Sequence, residues 1–158
     1  MTLVWIVEDN QKINAHITSL LRDEGFSTAS MVSAEEAQQR LAKGLEPMPN
    51  LVLLDIRLPG MSGIDLIHLW AREQLPPTIV ISGEATISEA LEAMRLGVHD
   101  FIEKPFSDER LVYSVRNCLE KMELKHRVRA LEQQLDGGQP ILGESRAIHA
   151  LMASLAKV

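Results

Sequence analysis

Short, continuous apolar runs alternate along this chain with longer stretches whose apolar residues fall three and four apart. Leu3–Val7 is the first run, and it stops at Glu8, Asp9 and Asn10. From Asn10 to Glu24 the spacing becomes helical, with Ile13, Ile17, Leu20 and Leu21 on one face and Gly25 as the stop. Phe26–Ser30 predicts a second strand. Ser33-Ala-Glu-Glu36 has the form of a capping box, opening a helix to about Lys43. After a proline-bearing loop, Leu51-Val-Leu-Leu-Asp55 predicts a third strand, and Gly63–Gln74 a helix with Ile64, Ile67 and Trp70 turned inward. Thr78–Ile81 is a fourth strand ending at Ser82-Gly83, followed by a helix over Thr86–Leu96 that closes at Gly97. His99–Glu103 is a fifth strand ending at Lys104-Pro105, and a last helix starts near Ser107, a capping residue.

Apolar runs without alternation suit strands covered on both faces. Five of them, each followed by a helix, predict an α/β fold with a doubly wound parallel sheet in the order 2-1-3-4-5. Length and composition agree. The 158 residues are 46% hydrophobic, enough for one ordinary domain with an appendage. Sixteen basic against 22 acidic residues give a net charge of −6, which argues against a general nucleic-acid surface. A single cysteine, Cys118, rules out an internal disulfide and a cysteine-built zinc site. The first apolar run meets Glu8 and Asp9 too early for a signal peptide, and no run is long enough to span a membrane. The expectation is a soluble, cytoplasmic protein without a membrane partner.

Open α/β sheets bind ligands beyond the carboxyl ends of their strands. Those ends carry Glu8 and Asp9 on the first strand, Asp55 on the third, Ser82 on the fourth and Lys104 on the fifth. Asp55 taken alone could simply cap the turn that follows it. In a 2-1-3-4-5 sheet, however, the first and third strands are neighbours, so three carboxylates converge. At about 4 Å and an effective dielectric near 20, each pair repels by roughly 4 kcal/mol. A strained site is expected, one that a hard divalent cation such as Mg²⁺ relieves.

Glu8-Asp9, Asp55, Ser82 and Lys104-Pro105 together resemble the signature of response-regulator receiver domains, which share the CheY-like, flavodoxin-like fold. The resemblance covers about residues 3 to 120. It implies that Asp55 accepts a phosphoryl group from a sensor histidine kinase, with Lys104 and Ser82 contacting that group. It implies Mg²⁺ held by Asp9, Asp55 and the main-chain carbonyl of Arg57, with Glu8 acting mainly through metal-bound water. Ser82 and Phe101 match the family's switch pair, and a cis Lys104–Pro105 bond is common there. Arg57 and Glu84, each two residues past a signature position, match positions that tune phosphoryl lifetime; their pairing across the pocket is a hypothesis. Such a chain has no enzymatic activity beyond self-phosphorylation and autodephosphorylation.

The last helical pattern runs on to about Leu135. Leu111, Val115, Cys118 and Met122 step by 4, 3 and 4, and so do Leu124, Val128, Leu131 and Leu135, one residue out of phase. The first series predicts packing on the sheet. The second is a seam for a partner helix, so residues 121–137 are expected to form a linker helix of coiled-coil type, and a homodimer is expected through this seam, the receiver face or both. Asp136-Gly-Gly-Gln-Pro140 is expected to break the helix. Residues 138–158 look like the opening of the AAA+ domain of NtrC-type activators, which work with sigma-54 RNA polymerase. No phosphate loop or helix-turn-helix follows, so contact with polymerase would need domains outside this chain, and no nucleic acid is expected to bind this fragment. The main reading is a phosphorylation-controlled regulator that switches dimer or oligomer assembly. The alternatives are a stand-alone receiver that signals by protein docking, and a small-molecule phosphohydrolase, which the lack of a D-x-D motif disfavours.

Overall fold

In the computed structural model, residues 2–44, 47–73 and 75–138 are described, with side chains to residue 133. Their strands are β1 (Leu3–Val7), β2 (Ser27–Met31), β3 (Leu51–Asp55), β4 (Thr78–Ser82) and β5 (Asp100–Glu103). They form one parallel sheet in the order β2-β1-β3-β4-β5. Between and after them come α1 (Gln11–Asp23), α2 (Ala34–Lys43), α3 (Gly63–Ala71), α4 (Ile87–Arg95) and α5 (Asp108–Gly138). The predicted fold class and strand order are those observed.

Every residue of β3 and β4 is buried, as continuous apolar runs require of central strands. Strand alternation divides them between two layers. Trp5, Val7, Val52, Leu54 and Val80 join Ile67 and Trp70 of α3 in one core cluster. Val4, Ile6, Leu53, Ile79 and Ile81 turn to the opposite face and are buried too, as are Ile17 and Leu21 of α1 and Leu111, Val115 and Cys118 of α5. The register pairs Val7 with Leu54 and Asp55 with Ile81, which brings the ends of β1, β3 and β4 to one edge.

Several boundaries differ from the sequence reading. β2 begins at Ser27, because the Phe26 amide still donates to the Leu21 carbonyl (3.0 Å) and closes the end of α1. β5 begins at Asp100 and α3 ends at Ala71. At α2 the capping box is half made: the Ser33 hydroxyl accepts from the Glu36 amide (3.1 Å), but the Glu36 carboxylate reaches the Val32 amide, one residue early. The complete box is at α4, between Thr86 and Glu89. The helix break expected from Asp136 falls later, since α5 includes Gly137 and Gly138. Glycine only weakens a helix, and Pro140 restricts the residue just before it rather than position 136.

The chain divides into two compact units, Met1–Leu119 and Glu120–Val158. The first holds the sheet. In the second, Leu124, Val128 and Leu131 are exposed along α5, while the Leu135 side chain and residues 139–158, where the AAA+ opening was expected, lie outside the described residues. Among the described residues no helix is long and apolar enough to cross a membrane.

Candidate functional site

The end of β1 is fixed first by its backbone. The Glu8 amide continues the ladder to the Met31 carbonyl (3.0 Å), and the Glu8 carbonyl accepts from the buried Asn14 side chain of α1 (3.0 Å). Asn10 caps α1, its Oδ1 accepting from the amides of Lys12 (3.0 Å) and Ile13 (3.1 Å). The turn between them therefore sets Glu8 inward and Asp9 outward. Glu8 is fully buried, Asp9 is exposed, and Asp55 at the end of β3 is 4% exposed. One carboxylate oxygen from each lies within 4.8 Å of the other two.

Behind Asp55 the chain turns sharply. Its Oδ1 accepts from the Arg57 amide (3.0 Å), and the Gly63 amide returns to the Ile56 carbonyl (2.9 Å). A Cβ on Gly63 would sit 2.3 Å from the Asp55 carbonyl oxygen, so the start of α3 can pass only as glycine. Across the edge, the Lys104 amide donates to the Ser82 carbonyl (2.9 Å), which ties the ends of β4 and β5 together. Lys104–Pro105 is cis, as the resemblance implies.

Lys104 Nζ lies 2.6 Å from Glu8 Oε1 and 2.9 Å from Asp55 Oδ2. The expected repulsion is thus met from within the chain. Burial, reinforced by Asp55 and opposed by Lys104, pushes the Glu8 carboxyl up to about 8. Burial pulls the Lys104 ammonium down, but its bonds to Glu8 and Asp55 outweigh that and hold it above its ordinary value. Glu8 Oε2 is buried without a hydrogen-bond partner. Three hard oxygen donors, one of them unpartnered, suit a hard divalent cation.

Ser82 is buried beside this cluster and its Oγ accepts from the Glu84 amide (3.4 Å). Phe101 is half-buried on β5 and packs against the core cluster. Arg57 does reach position 84, but not its carboxylate. Its guanidinium donates to the Glu84 carbonyl (3.1 Å) and pairs with Glu89 of α4 (2.6 Å). The hypothesised Arg57–Glu84 ion pair is therefore replaced by Arg57–Glu89, because the capping box already turns the Glu89 carboxylate back toward Thr86 and the loop. Asn14 and Glu89 were both missed from sequence. Only the Thr86-x-x-Glu89 capping pattern could have drawn attention to the second.

Residues 4–116 match the family described as Response regulator receiver domain. The nitrogen assimilation regulatory protein NtrX of Azorhizobium caulinodans is 36% identical over 98% of this chain and 34% of its own length. The C4-dicarboxylate transport transcriptional regulatory protein DctD of Rhizobium meliloti is 31% identical over the same shares. Among solved structures, NtrX from Brucella abortus superposes with a TM-score of 0.73 at 33% identity, covering 83% of this chain and 30% of that one. The receiver domain of a Luxo repressor protein from Vibrio parahaemolyticus gives 0.74 at 26% identity, over 80% and 96%. This chain spans about a third of the length of these two curated relatives.

Proposed function

This chain belongs to the response regulator receiver domain family, and on that premise we propose that Asp55 accepts a phosphoryl group from a sensor histidine kinase. The observation that carries the reading is Asp55 itself, a nearly buried carboxylate at the end of β3 with Glu8, Asp9 and Lys104 around it. A carboxylate oxygen attacks phosphorus as the phosphorus–nitrogen bond to the donor imidazole breaks, and the electron pair leaves with that nitrogen. Such transfers depend on in-line positioning and charge neutralisation. Lys104, already on Asp55 Oδ2, supplies one fixed positive charge at the acceptor. Ser82 is the hydroxyl donor to the new phosphoryl oxygens, giving up the Glu84 amide to reach them, and Phe101 follows that loop.

Glu8, Asp9, Asp55 and the Arg57 carbonyl are the residues that would hold Mg²⁺, which when bound neutralises charge on the phosphoryl oxygens. The fit rests on the carboxylate cluster and on the unpartnered Glu8 Oε2. The output follows from the second unit: Leu124, Val128, Leu131 and Leu135 form a seam for a second copy, and residues 138–158 open an ATPase of the sigma-54-dependent kind. Similarity over 98% of the chain to NtrX, a regulatory protein of which this chain covers 34%, supports an output region beyond the receiver.

The direct test is intact-mass spectrometry after incubation with acetyl phosphate and Mg²⁺. One phosphoryl group is expected on the wild type and none on Asp55→Asn or on wild type treated with EDTA. Uptake that survives Asp55→Asn would remove Asp55 from the role.

A further inference from the structure

The carboxylate that Arg57 meets belongs to a helix that no part of the phosphoryl chemistry touches. We propose that Glu89 is a positioning residue: it holds the Arg57 guanidinium on the first turn of α4, and a phosphoryl group on Asp55 competes for that cation. The inference rests on the reading of Asp55 as phosphoacceptor.

Five contacts make the arrangement one device. The Arg57 amide is bonded to Asp55 Oδ1, so the residue is anchored at the acceptor whatever its side chain does. The guanidinium bonds the Glu84 carbonyl and the Glu89 carboxylate. Glu89 Oε1, the same oxygen, also accepts from the Thr86 amide (3.0 Å). Ser82 Oγ accepts from the Glu84 amide. The segment from 82 to 89 is therefore held by Ser82 and Arg57, two residues that sit at or beside the acceptor.

A phosphoryl group brings up to about two negative charges and three strong acceptor oxygens. Guanidinium pairs with it in a bidentate fork, stronger than an exposed single contact to a carboxylate. Arg57 is about half exposed and Glu89 about a quarter, so their pair is screened and readily exchanged. When Arg57 turns to Asp55, the Glu84 carbonyl loses its donor and Glu89 keeps only the cap. Further along α4, Glu92 pairs with His68 of α3, which confines loosening to the first turn.

The test uses the full chain with Mg²⁺ and beryllofluoride as the phosphoryl mimic. Glu89→Gln keeps an acceptor for the Thr86 amide, since glutamine serves a capping box as well as glutamate, but removes the charge that competes. Glu89→Gln is expected to bind beryllofluoride roughly two- to fivefold more tightly than wild type, and to lose that gain when Arg57→Ala is added. Hydrogen exchange of the α4 first-turn amides should quicken with beryllofluoride in the wild type and be quick in both states of Arg57→Ala. Unchanged affinity in Glu89→Gln, or the same gain without Arg57, would overturn the competition while leaving Asp55 in place. Failure of the wild type to bind beryllofluoride, as expected of Asp55→Asn, would overturn both readings together.

Discussion

Two cations flank Asp55, and the chain holds them in opposite ways. Lys104 directly follows β5, is 18% exposed, and is clamped between two carboxylates that meet no other cation among the described residues. Arg57 comes from the loop after β3, is 47% exposed, and makes its side-chain contacts to the Glu84 carbonyl before α4 and to Glu89 on it rather than to Asp55 beside it. A buried charge bound on two sides cannot leave without stranding its partners. An exposed one can, because water replaces what it gives up. The lysine therefore acts as a fixed part of the pocket and the arginine as a movable one. The difference lies in desolvation, not in the charge, which is the same.

The strongest way to break this contrast is to remove each cation. Lys104→Ala leaves Glu8 and Asp55 facing each other without compensation, and is expected to cost about 3 kcal/mol in urea unfolding of the metal-free protein. Added Mg²⁺ should then stabilise Lys104→Ala more than wild type, because the ion meets carboxylates that no ammonium already occupies. Arg57→Ala should cost a small fraction of that loss. Equal losses for the two would show that burial does not separate them.

A second substitution sharpens the interior half. Gly63→Ala drives a methyl group to the backbone of Asp55, and neither the strand end nor the start of α3 can move freely. An overpacking loss of about 1–3 kcal/mol is expected, with weaker Mg²⁺ binding as Asp55 is displaced. A Gly63→Ala protein with wild-type stability and metal affinity would mean that the turn is softer than its contacts imply.

How far the sequence could see follows the same division. The fold and the convergence of Glu8, Asp9, Asp55, Ser82 and Lys104 were legible because each ends a strand, and strands buried on both faces leave an unmistakable apolar run. Once the strand order is known, those ends must meet. Glu89 and Asn14 carry no such mark. Each is a polar residue within a helix, and its importance comes from a neighbour distant in sequence, Arg57 in one case and the Glu8 and Met31 carbonyls in the other. Arg57 was singled out together with Glu84, whose carbonyl it does reach, but its charged partner Glu89 lies further along, on α4, where spacing from Asp55 and Ser82 gives no sign of it. The late end of α5 was missed for a different reason: two glycines weaken a helix without dictating where it stops.

The smallest effect belongs to a third ion pair that serves as a control. Asp100 on β5 bonds Arg110 (3.1 Å) and Ser114 of α5 (2.7 Å) and accepts from the Phe101 amide (2.8 Å). Partial burial raises its carboxyl, but Arg110, Ser114 and that amide together hold it below the ordinary carboxylate range. A carboxyl depressed in the folded state adds stability above its unfolded pKa and loses it as pH falls through the folded one. Asp100→Asn should therefore be slightly less stable than wild type at neutral pH and indistinguishable from it in strong acid. Like Arg57–Glu89 this pair is partly exposed and spans two elements, yet neither partner is anchored at Asp55. Beryllofluoride affinity should be the same in Asp100→Asn as in wild type. If that substitution moved the affinity as far as Glu89→Gln, exposure alone would explain the response, and attachment of Arg57 to the acceptor would not be what makes its charge a switch.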